Sequence, residues 1–71
     1  MTKPTSLQNT VKQHRQAAKL TQEQLAGQLG VTRQTLLAIE NGKYSPNLEL
    51  ALRMARILGC TIDELFSLPE E

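Results

Sequence analysis

Apolar residues along most of this chain recur at helical rather than strand spacing, and polar capping residues cut the pattern into segments. Leu25 and Leu29 lie one turn apart, and Leu36 and Ile39 resume the spacing after a break at Gly30. From Leu7 to Ala18 the inward set is Leu7, Val11, Ala18 and the stem of Arg15. Lys12, Gln13, Gln16 and Lys19 take the solvated side, and Leu20 folds back into the core beyond the helix. From Leu48 to Leu58, Leu48, Ala51, Leu52, Ala55 and Leu58 make one apolar face and Leu50, Met54 and Ile57 a second, leaving Glu49, Arg53 and Arg56 as a narrow polar stripe. A helix apolar on most sides belongs at the centre of a core or under a partner. A short last segment buries Ile62, Leu65 and Phe66.

Capping residues set the boundaries. Thr21 and Gln24 form a capping box, each satisfying an orphan amide of the other, and Gly30 ends that helix at a left-handed position a side chain disfavours. Val31 plugs the corner, Thr32 caps the next helix, and Gly42 stops it after Asn41. Asn47 caps the long helix that Gly59 closes, and Thr61-Ile62-Asp63-Glu64 is a second capping box. Ser6 is the candidate cap of the first helix. The expectation is an all-α fold of five helices: a flexible arm over 1–6, a domain over 7–68 and a tail over 69–71.

Two capped helices with so short a turn make a helix-turn-helix, in which the second helix, 32–41, is free to enter the major groove of DNA. At about 100° per residue, Arg33, Leu37 and Asn41 stack along one outward line with Gln34 and Ala38 beside it, opposite Leu36 and Ile39. Arginine and glutamine are the side chains that make bidentate contacts with guanine and adenine edges, and both stand at the helix N-terminus. The competing reading is a solvated polar face, the default for any amphipathic helix. Beyond the helix, Lys43 and Tyr44 sit in a loop marked by Gly42 and Pro46, where they could meet phosphate oxygens; Tyr44 could equally pack over the domain's edge.

Composition narrows the classes. Seventy-one residues allow one domain, and a 39% apolar share with only Tyr44 and Phe66 aromatic implies an aliphatic core. A single cysteine, Cys60, excludes an internal disulfide, and with His14 the only histidine no Cys/His zinc site assembles; no cofactor is expected. Cys60 reads as a filler of a small core site and His14 as a partly exposed helix residue. One histidine and one cysteine on separate helices, without a phosphate loop or paired carboxylates, argue against an enzyme. No apolar run approaches membrane-spanning length and no signal-peptide hydrophobic region is present, so a cytoplasmic protein without membrane contact is expected. The net charge of +1 hides an asymmetry: six basic residues face two acidic ones up to Asn47, and two face five from Leu48 onward. The half holding the helix-turn-helix is thus the one suited to a polyanion. Glu49 and Arg53 stand in the favourable i,i+4 order, worth about 0.2–0.5 kcal/mol.

The sequence resembles the lambda-repressor-like, or Cro-like and XRE-type, helix-turn-helix DNA-binding family, particularly its small stand-alone members. The resemblance rests on Leu20-Thr21-Gln22-Glu23-Gln24-Leu25-Ala26, Leu29-Gly30-Val31-Thr32-Arg33-Gln34-Thr35, Ile39-Glu40-Asn41-Gly42-Lys43, and Pro46-Asn47-Leu48-Glu49-Leu50-Ala51 through Leu58-Gly59. It spans about Asn9 to Phe66. It implies that Gln22 binds a phosphate and braces the recognition helix, that Arg33, Gln34 and Thr35 read bases or the adjoining backbone, and that Asn41 and Lys43 contact the backbone. It also implies an ion pair between Arg15 and Glu40 that braces the first helix against the third. Leu37 replaces a frequent small polar residue and could meet a thymine methyl; Lys19 stands where glycine is common, so the first helix is expected to end differently. His14 replaces a frequent leucine, and Cys60 a frequent valine.

The function expected is a sequence-specific transcriptional regulator, a repressor binding a two-fold operator in double-stranded DNA as a homodimer. The alternative is a protein-interaction module such as an antitoxin subunit, favoured by Leu37 and by the Leu50, Met54 and Ile57 stripe. That stripe and the Leu65 to Leu68 end are the candidate dimer surfaces.

Overall fold

Four of the helices begin where a short polar side chain takes up an amide that the helix itself cannot satisfy: Thr21 accepts from the Gln24 N–H, Thr32 from Thr35, Asn47 from Leu50 and Thr61 from Glu64. The computed structural model describes residues 7–69; the expected arm over 1–6, its Ser6 cap, and Glu70 and Glu71 of the tail lie outside the described residues. The helices are α1 (Val11–Ala17), α2 (Gln22–Leu29), α3 (Arg33–Glu40), α4 (Leu48–Leu58) and α5 (Ile62–Leu65). Two short strands, β1 (Gln8–Asn9) and β2 (Phe66–Ser67), pair antiparallel with Gln8 opposite Ser67 and Asn9 opposite Phe66. The class is all-α, and this small ladder does not change it.

The core lies where α2 packs on α3 and α4, and α4 on α5. Val11, Leu25, Leu29, Leu36, Ile39, Met54 and Leu65 are fully buried there, each large aliphatic side chain worth about 1.5–3 kcal/mol. Gly30 turns the chain between α2 and α3 at φ +75°, its N–H returning to the Ala26 and Gly27 carbonyls, and Val31 packs against the core from the corner. Cys60 and Ile62 pack partly buried against the same cluster.

The structure departs from expectation at three places. The first helix begins at Val11 rather than near Leu7, because longer-range hydrogen bonds claim the residues before it. Thr10 gives its N–H to the Leu65 carbonyl (2.8 Å) and its hydroxyl to the Glu64 carbonyl (2.7 Å), holding the segment extended against the last helix. At the other end the helix stops at Ala17, leaving Ala18 exposed instead of inward, and Lys19 takes the left-handed conformation at φ +60°. On α4 the inward residues are Ala51, Met54 and Ala55, with Leu50, Ile57 and Leu58 partly buried against the core, so the stripe expected to be free for a partner is the core face. Leu48 and Leu52, assigned inward by periodicity, are instead 70% and 52% exposed. Both candidate faces were apolar, and only the placement of α2 and α5 selects between them. Glu49 and Arg53 do not pair either: among the described residues the ion pair is Arg15 with Glu40.

Candidate nucleic-acid interface

Thr32 starts α3 by accepting the Thr35 N–H at 3.1 Å, and its hydroxyl also donates to the Thr35 hydroxyl at 3.0 Å. With Leu36 and Ile39 anchored in the core, the helix must turn Arg33, Gln34, Leu37 and Asn41 outward, and all four are exposed; Thr35 and Ala38 are half-buried at the margin. Leu37 keeps 39% of its surface open and Tyr44 51%. Tyr44 joins Thr32, Gln34, Thr35 and Ala38 around an open hollow of about 390 Å³, so it stands beside the helix face rather than inside the core. Lys43 is exposed just past the helix, its N–H bound to the Ala38 carbonyl at 2.9 Å.

Behind this face runs a chain of hydrogen bonds. Arg15 of α1 donates from Nε to Glu40 Oε2 at 2.8 Å and from Nη2 to Glu40 Oε1 at 3.4 Å, and Nη1 reaches the Leu20 carbonyl at 2.9 Å. Both side chains are almost fully removed from solvent, Arg15 at 9% and Glu40 at 2% exposed. The same Glu40 Oε1 accepts from Gln22 Nε2 at 3.4 Å, which leaves the Gln22 carbonyl oxygen pointing away to accept from Arg33 Nε at 3.1 Å. A buried carboxylate thus orients the Gln22 amide, and that amide holds the Arg33 guanidinium by its Nε. Among the described residues the two terminal nitrogens of Arg33 have no hydrogen-bond partner, so the fork that suits a guanine edge or a phosphate is presented outward.

The structure brings Gln22, Arg33, Gln34, Thr35, Leu37, Ala38, Asn41, Lys43 and Tyr44 to α3 and its borders. One residue, Asn9, and one contact, between Gln22 and Arg33, were not expected from the sequence. Asn9 donates to the Ile39 carbonyl at 2.8 Å and accepts the Val11 N–H at 3.1 Å, tying the start of α1 to the end of α3. The Gln22–Arg33 link joins the first residues of α2 and α3, a proximity with no local signal in sequence. His14 and Cys60 lie outside this set. His14 Nδ1 is 3.1 Å from the Thr10 hydroxyl, and burial pushes the Cys60 thiol up, with the Glu64 carboxylate adding to it, as suits a core filler rather than a nucleophile.

A helix with buried supports, a basic and amide-bearing N-terminus and a polar exposed face, set on a second capped helix across a three-residue turn, defines a DNA-binding domain. The helix-turn-helix family model matches residues 11–65, and the chain belongs to that family. It is 48% identical over 60 residues to a Methanocaldococcus jannaschii protein named an uncharacterized HTH-type transcriptional regulator, covering 84% of this chain and 91% of that one. It is 44% identical over 48 residues to the cryptic phage CTXphi transcriptional repressor of Vibrio cholerae, covering 68% of this chain and 43% of the repressor. A solved protein of Bacteroides fragilis, 23% identical, superposes with a TM-score of 0.79 over 86% of this chain and 98% of its own, a likeness of fold. The protein is a DNA-binding transcriptional regulator and not an enzyme. Among the described residues no helix is long and apolar enough to cross a membrane.

Proposed function

We propose that this regulator is a cytoplasmic repressor that occupies a two-fold operator as a homodimer, obstructing transcription by its presence. Arg33 and Gln34 read base edges in the major groove, with Thr35, Leu37 and Ala38 along the same face. Gln22, Asn41, Lys43 and Tyr44 hold the flanking phosphates and set the register. The observation that carries this reading is the tether from buried Glu40 through Gln22 to Arg33, which orders a long side chain before any ligand arrives and so lowers the entropy that binding must overcome.

Selection of bound duplexes from a randomised library, at low and near-physiological salt, tests it. A two-fold symmetric motif that survives the higher salt is expected. Enrichment of no sequence, with binding lost steeply as salt rises, would show that only the backbone is recognised and would overturn the reading. Exposed Leu37 in the middle of the polar face supports a second reading, a protein-binding module. Replacing Arg33 and Gln34 with alanine separates the two: it abolishes operator binding under the first reading and leaves a protein partner bound under the second.

A further inference from the structure

The face of α4 turned away from the core carries two rows, Leu48-Leu52-Arg56 and Glu49-Arg53, at i,i+4 spacing. These five side chains line an open groove of about 310 Å³. Its floor is apolar, since Leu48 and Leu52 are 70% and 52% exposed. Its charges are unspent: among the described residues Glu49, Arg53 and Arg56 have neither an ion-pair nor a hydrogen-bond partner. The order of those charges is self-complementary. When α4 lies antiparallel on a copy of itself with the two-fold axis midway between positions 52 and 53, position 49 of each helix comes opposite position 56 of the other. Leu52 then meets its own image, and acid meets base on both sides of the apolar centre. An unrelated partner would need to supply its own matching pattern; a second copy supplies it by symmetry.

We propose that this groove is the contact through which two copies of the chain associate, with the axis between Leu52 and Arg53 and Glu49 paired with Arg56 of the partner subunit. It rests on the homodimer reading above and names its surface. Five side chains cover only a few hundred Å² per copy, against about 800 Å² per partner in a standard interface. The association is therefore weak in free solution, and two half-sites on one duplex complete it.

Disulfide trapping tests the contact without DNA, so its result is independent of the duplex selection that tests the regulator itself. In a Cys60→Ala background, Leu52→Cys is compared with Gln13→Cys, another exposed position, under mild oxidation at high protein concentration, with circular dichroism confirming the fold of each variant. Leu52→Cys should form the covalent dimer about tenfold faster than the control, because paired copies raise the local thiol concentration. Adding Glu49→Arg, or Arg56→Glu, should each return the rate to that of the control. Mixing the Glu49→Arg and Arg56→Glu chains should restore it, because both charge pairs are rebuilt in the mixed dimer. A Leu52→Cys rate equal to the control would overturn the proposal and leave the groove to another protein. A fast rate indifferent to the charge changes would equally overturn the antiparallel pairing.

Discussion

Lys19 closes α1 at φ +60°, where an L side chain crowds the following carbonyl and glycine would not. Its side chain is exposed, so Lys19→Gly removes strain and little packing; we expect a gain of about 0.5–1 kcal/mol, read from the urea midpoint. Gly30 is the mirror case. A Cβ there would meet no atom within 4 Å, yet its φ of +75° remains, so Gly30→Ala should cost about 1 kcal/mol for conformational reasons alone. Equal stability of Gly30→Ala and the parent would refute that account. Arg15 and Glu40 set a larger scale. Arg15→Met strands a carboxylate whose side chain is 2% exposed, and should cost about 3–5 kcal/mol, a large share of the stability of so small a domain. The double variant Arg15→Met/Glu40→Leu should recover most of this. Operator affinity should nevertheless stay below that of the parent, because Gln22 has lost the acceptor that orients it toward Arg33. Full recovery of both quantities would show that Glu40 serves stability only.

The two capping boxes differ in one group: α2 uses the neutral Gln24 and α5 the ionisable Glu64. Thr61 N–H donates to Glu64 Oε1 at 2.9 Å, and this backbone hydrogen bond, helped by the Thr61 side chain, holds the Glu64 carboxyl below its usual range. A lowered folded pKa means a stabilising contribution fully present above the ordinary carboxylate range and lost as pH falls through the lowered value. Acidification should therefore loosen α5 and the β2 strand that follows it while the α2 cap persists, seen as chemical-shift changes at Thr61–Phe66 before Thr21–Gln24. Glu64→Gln should remove the difference. These caps were legible in the sequence because each acts within four residues of chain, and so were the αL glycines and the outward face of α3, which follows from two buried positions. What local pattern cannot supply is the choice among alternatives that distant residues make. The start of α1 depends on Thr10 bonding to residues 64 and 65, the inward face of α4 depends on what packs there, and the Gln22–Arg33 tether depends on two helices crossing.

For the molecule as a whole, the basic half of the chain carries α2 and α3 and the acidic half α5, so the domain has an end suited to a phosphate backbone. Lys43→Ala should weaken binding to all duplexes alike and lower the slope of log affinity against log salt by about one unit. Gln34→Ala should instead relax preference at one base position, at about 1–3 kcal/mol. Identical effects across sequences would erase the division between phosphate and base contacts. At this scale the β1–β2 ladder has a topological consequence. Gln8 faces Ser67, so the path from residue 8 to residue 67 closes on itself and is a ring in all but a covalent bond. A circular permutant, with a short glycine-serine bridge joining 69 to 7 and new termini opened between Ser45 and Pro46, should therefore reach the same fold. A chain cut after Leu65 should not, since it sheds the buried Phe66 and leaves the seam of that ring unsewn.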